Sequence, residues 1–173
     1  MRRPFLIIFF CCSFSGILFS QTDIKQTDLM FAVRGGAHAS HTSFYELGGF
    51  LFFTHGQTAD GPTGWFGTFF SLERSFQKSE LNHGKQIHGW TAGAEYDRAF
   101  PWGFRCSISG FQLDDKHSLK LCPEAGLSIY SMHLFVGYNF PLTNRNLIRN
   151  NGPTLSCYFG IPVFWHTFTV REK

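Results

Sequence analysis

The stretch SLKLCPEAGLSI, Ser118 to Ile129, carries the reading of the whole chain. Leu119, Leu121, Pro123, Ala125, Leu127 and Ile129 are apolar, and Lys120, Cys122, Glu124, Gly126 and Ser128 between them are small or charged. The same alternation returns in HLFVGYNF, His133 to Phe140, where Leu134, Val136, Tyr138 and Phe140 form one set. It returns again in TLSCYFGIPVFW, Thr154 to Trp165, with Leu155, Cys157, Phe159, Ile161, Val163 and Trp165 on one side. Successive side chains of a strand point to opposite faces, so period two over this length means strands with one apolar and one polar face.

Working outward, the pattern repeats toward the N-terminus. Strands are expected at about 29–39, 43–54, 65–76, 86–98 and 102–112, ahead of the three just quoted. Gly56, Asp60, Gly61, Pro62 and Gly64 mark 55–64 as a loop, and 77–85, 113–117 and 144–152 read as further loops. No helical periodicity intervenes. About eight strands of roughly ten residues suit an all-β, antiparallel, up-and-down transmembrane β-barrel, with residues 29–173 as the barrel domain. With the N-terminus starting in the periplasm, the connections at 40–42, 77–85, 113–117 and 143–152 face outward.

The polar face decides between lipid and water outside. It carries Arg34, Glu46, Glu73, Glu95, Arg105, Lys120 and Glu124, about one charge per strand, among Gly, Ser, Thr and Ala. A water-facing sheet usually carries many long polar side chains. Small residues with sparse, nearly balanced charges suit the lumen of a narrow closed barrel, where each charge pairs with another. The seven are therefore expected to be structural lumen charges. The opposite face is nearly free of charge, with Arg74 and Arg98 near strand ends. Trp90, Tyr96, Trp102, Tyr138, Phe140 and Trp165 fall toward strand ends, as membrane-boundary aromatics do. Aromatic residues reach 18% of the chain, more rings than a soluble domain of this size readily buries.

Arg2 and Arg3 precede an apolar run from Phe5 to Phe19, which reads as a signal peptide over residues 1–20, cleaved after Ser20. Residues 21–28 are then a short polar lead-in. The run is shorter than the ~20 residues of a membrane helix. The net charge of +3 falls to +1 without Arg2 and Arg3, leaving no basic footprint for nucleic acid. Cys106, Cys122 and Cys157 remain in the mature chain; Cys106 and Cys157 face outward, Cys122 inward, and all three read as small fillers.

Little chemistry is legible. No metal, phosphate-loop or nucleophile motif is present, and neither cofactor nor catalytic residue is assigned. His38 and His41 lie three apart across a strand end, which sends them to opposite faces. His83 and His88 read as exposed. Some eight-stranded outer-membrane barrels modify lipid A, which requires a lipid-facing His with a Ser and a carboxylate near the outer leaflet. His88 is the candidate there, without a Ser and Glu assignable beside it.

In PEAGL, Pro123 to Leu127, and GYNFPL, Gly137 to Leu142, the chain resembles small outer-membrane β-barrel proteins of the Bacteroidetes type. The resemblance implies an eight-stranded barrel, often with no assigned activity, whose partners are outer-membrane lipid and, during biogenesis, the outer-membrane assembly machinery. The chain departs from their common pattern of ending on an aromatic residue, since it continues past Trp165 and Phe168 to Lys173. The expectation is an integral protein of the cell outer membrane, not an enzyme, with a structural or surface-interaction role. Two alternatives remain at this point: a lipid-modifying enzyme of the same architecture, and a secreted soluble barrel with the faces exchanged. In the latter Leu121, Leu127, Val136 and Phe159 would line a cavity for a small apolar ligand, and Glu95 and Glu124 would be wet.

Overall fold

The computed structural model describes residues 26–58, 61–79, 84–98, 102–113, 116–129, 131–143 and 151–169. The expected signal peptide, and the lead-in up to residue 25, lie outside the described residues. Eight strands follow in chain order: β1 (Gln26–Ala39), β2 (Phe44–Thr58), β3 (Gly61–Ser79), β4 (Lys85–Arg98), β5 (Trp102–Leu113), β6 (Lys116–Ile129), β7 (Met132–Pro141) and β8 (Gly152–Thr169). Each pairs antiparallel with its neighbours, and β8 pairs with β1, closing the ring.

The register fixes the shape. Moving from partner to partner, from Leu29 through Phe53, Phe66, Tyr96, Phe104, Ala125, Val136 and Leu155, the path returns to β1 at Ala39, ten residues further along. That offset tilts the strands by about 40° to the barrel axis, and eight strands leave an interior that side chains just fill. Every residue on this path faces outward, and all of them are apolar apart from the Tyr96 hydroxyl.

The two faces separate by charge. Among the described side chains, every Asp, Glu, Lys and Arg except Arg74 lies inside the ring. Outside stand large apolar groups such as Leu47, Phe70, Leu72, Phe104, Leu134, Val136, Phe159 and Ile161, each about half exposed or more. The exchanged-face arrangement is not the one adopted: Glu95 and Glu124 are buried, while Leu127, Val136 and Phe159 are on the outside; of the four apolar residues it named, Leu121 alone is buried.

Several boundaries differ from the sequence reading. The 55–64 stretch is mostly strand, because β2 runs on to Thr58 and β3 starts at Gly61. Pro62 is tolerated because Gly64 is the last β3 residue paired with β4, so the missing N–H falls where the third strand has stopped. Residues 26–28 belong to β1 rather than to a lead-in, with Asp28 N–H donating to Thr54 Oγ1 at 2.9 Å. In β8 a bulge opposite Phe31 and Ala32 leaves Val163 unpaired with β1, since Phe31 pairs with Phe164 and Ala32 with Pro162. The extra residue reverses the alternation. Trp165 thus pairs with inward-facing Met30, not with the outward set in which the unbroken pattern put it. Pro123 interrupts another ladder: β6 and β7 pair at Leu121 with Phe140 and at Glu124 with Gly137, but not between.

Candidate functional site

The lumen is the only place where polar chemistry concentrates among the described residues. Two apolar plugs bound it. At the end holding the β1–β2, β3–β4, β5–β6 and β7–β8 connections, Phe44, Ile87 and Phe111 form a buried cluster. Toward the end holding the termini, Ala32, Phe50, Phe52 and Phe69 form another, with Met30 and Trp65 packed against it.

Between them lies a network built from strands that are distant in sequence. Arg34 on β1 donates to Glu95 on β4 at 2.5 Å and lies 3.6 Å from Glu46 on β2. Arg105 on β5 lies 3.5 Å from Glu46 and 3.4 Å from Glu124 on β6. Both guanidiniums sit over aromatic faces: Arg34 is 4.9 Å and Arg105 4.1 Å from the Phe69 centroid, and each is 4.0 Å from the Tyr158 centroid. Ring faces hold the planar cations in place where water would otherwise solvate them. Ser156 donates to Glu124 Oε1 at 2.5 Å, and Ser109 donates toward Glu73 Oε1 at 3.2 Å. Lys120 reaches up to the apolar plug, 4.9 Å from the Phe111 centroid and 5.8 Å from that of Phe44.

All seven charges singled out in the sequence, Arg34, Glu46, Glu73, Glu95, Arg105, Lys120 and Glu124, are thus buried inside the ring. Arg34, Glu46, Glu95, Arg105 and Glu124 form one connected network. Glu73 joins His38 instead, at 3.8 Å, and Lys120 stands apart among rings. The sequence reading weighed His38 only together with His41 and did not single out His133 or Asp97, although the alternation put each on the inner face. His133 Nδ1 lies 2.9 Å from Glu95 Oε1 and 3.6 Å from Asp97 Oδ2. Their mutual approach depends on ring closure, which brings β7 across from β4.

Small side chains make room for this content. Gly103 packs tightly, since a Cβ there would press on Asp97 Oδ1 and stand 2.9 Å from the Phe135 ring. A cavity of about 10 Å³ in the lumen is bordered by His38, Glu73, Lys120, Asn139 and Tyr158, room for about one water.

Outside the ring, His88 is exposed. Its strand partners are Arg74 on β3 and Gln112 on β5, so neither is the Ser or carboxylate that a lipid-cleaving centre requires. His38 is buried and stacked on Phe44 at 5.3 Å, whereas His41 is exposed, so the two do not converge. His83 lies outside the described residues. No disulfide joins Cys106, Cys122 or Cys157 among the described residues; Cys122 is buried and Cys157 exposed. Compared with known proteins, the chain matches no family model, no curated protein and no solved structure.

Proposed function

We propose that the chain is an integral outer-membrane β-barrel with a structural or surface-interaction role and a lumen filled by side chains. The observation that carries this reading is the inverted distribution of side chains. Ionisable groups are inside, and rings and aliphatic chains cover the outside. Transfer of a half-exposed Phe or Leu from water to an apolar phase is worth about 1–2 kcal/mol each. A water-soluble protein would forgo that gain at some two dozen positions around the wall, whereas a bilayer supplies it. The buried Arg–Glu network gives the interior the opposite preference, since a charge exposed to hydrocarbon is costly.

The filled lumen supports a structural or adhesive role over diffusion of solutes. The apolar plugs and the ion pairs between them occupy the lumen, which supports this reading. Residues 21–173 are to be expressed with an export signal and the outer membranes washed with carbonate. The protein is expected to stay with the membranes and to migrate differently on a gel before and after boiling. Release into the wash as a folded soluble protein would overturn the reading.

A further inference from the structure

We propose that Glu95, Asp97 and His133 form a binding site for one divalent first-row metal cation of the zinc or manganese class, set in the lumen near the end that holds the termini. One carboxylate oxygen from each acid and one imidazole nitrogen lie within 4.8 Å of one another, and all three residues are buried. The two distances from His133 Nδ1, 2.9 Å to Glu95 and 3.6 Å to Asp97, bracket the separation of about 3.4 Å between ligands held tetrahedrally at 2.0–2.2 Å from one ion. Ser128 Oγ, 3.0 Å from the same nitrogen, brings a fourth oxygen to the group. Imidazole and carboxylate together suit zinc, iron or manganese better than calcium or magnesium.

A second observation points to a ligand independently. Asp97 is 1% exposed, and neither of its carboxylate oxygens has a hydrogen-bond partner, while Glu95 Oε1 has His133 Nδ1 at 2.9 Å. One Nδ1 proton can serve only one of the oxygens that crowd it, so hydrogen bonding by His133 leaves a buried carboxylate unmet. A cation at their focus meets all of them. Six acids, Asp28, Glu46, Glu73, Glu95, Asp97 and Glu124, share the interior with three fixed cations, Arg34, Arg105 and Lys120.

The competing group of His38, Glu46 and Glu73 is the weaker site, because Glu46 is already neutralised by two guanidiniums. In the proposed site Arg34 takes only the other oxygen of Glu95, leaving Oε1 directed at His133. The His133 side chain is 10% exposed, the most open of the three. Gly103 borders the site, where a Cβ would press on Asp97 Oδ1. The inference rests on the lumen alone and stands whether or not the barrel lies in a membrane.

The test uses the mature chain folded in detergent micelles, stripped with chelator, incubated with Zn2+, desalted and assayed for bound metal. One zinc per chain is expected in the wild type and in Glu73→Gln, with binding weakened about 100-fold or more in Asp97→Asn and in His133→Gln. Each variant is first shown to keep the wild-type gel mobility before boiling. A wild type that holds no ion, or an Asp97→Asn variant that binds as the wild type does, overturns the proposal. Should the variants fail to fold, Co2+ loaded into the wild type decides. Visible d–d bands of a low-coordinate oxygen and nitrogen site support the proposal. Their absence, or an intense near-ultraviolet band from thiolate ligation by the cysteines, overturns it.

Discussion

Replacing Arg105 by Met isolates the worth of the lumen network. Met keeps most of the aliphatic stem, so the packing against Phe69 and Tyr158 is largely retained while the charge is lost. Arg105 stands 3.5 Å from Glu46 and 3.4 Å from Glu124, both fully enclosed. Removing one member of a buried ion pair costs about 3–5 kcal/mol, because the abandoned partner stays desolvated. The two ring contacts, at 4.1 and 4.0 Å, add about 1 kcal/mol each as cation–π attraction. These losses overlap, since Glu46 keeps Arg34 and Glu124 keeps Ser156. The expected destabilisation of Arg105→Met is about 4–5 kcal/mol, a large share of the 5–15 kcal/mol typical of a folded domain. The assay is reversible urea unfolding in micelles, followed by the gel-mobility difference between folded and unfolded protein. Adding Glu124→Gln removes the stranded charge and should restore about 1–3 kcal/mol relative to additivity. The reasoning fails if Arg105→Met unfolds within 1 kcal/mol of the wild type, or if the double variant loses the sum of the two single losses.

Two further predictions address the outer face. Val136 is 61% exposed near the middle of the apolar band, so Val136→Arg should cost about 2–4 kcal/mol when the protein is unfolded from vesicles. A shift below about 0.5 kcal/mol, as at a wetted surface, would mean that no lipid meets this face. Cys157 is exposed on the same band and Cys122 is enclosed. In membranes a lipid-soluble maleimide should label Cys157 while a charged, water-soluble one should not, and Cys122 should react with neither until the barrel unfolds. Rapid labelling of Cys157 by the charged reagent would contradict the assignment.

The faces were legible because each strand repeats the same two-residue rule, and Arg34, Glu46 and Glu124 obey it as single residues. Partnership was not legible. Which acid meets Arg34 depends on ring closure and on the register offset, and those place β4 beside β1 across the lumen. His133 escaped for the same reason: it sits among apolar and small residues in sequence, and only the opposite wall makes it a ligand. Pro162 was the one available signal for the bulge that pairs Trp165 with Met30, since a proline inside a paired strand commonly marks such an irregularity. The 55–64 stretch misled because its glycines and proline carry loop chemistry in most settings. A two-stranded ribbon beyond the body of the ring makes fewer ladder demands than a central strand.

The pairing of β1 with β8 joins residues at opposite ends of the described chain, such as Leu29 with His166. Hairpins along the meander can form from local contacts, but this last seam cannot form until the whole chain is present, and its loop-closure entropy is paid late. Until then two long strand edges stand open, and an open edge recruits other strands. The Arg–Glu network spans β1, β2, β4, β5 and β6, so it too stays incomplete while the ring is unclosed. Folding of this chain should therefore be slow, cooperative and dependent on something that guards the seam. Its stability once closed should express itself as a very slow rate of unfolding.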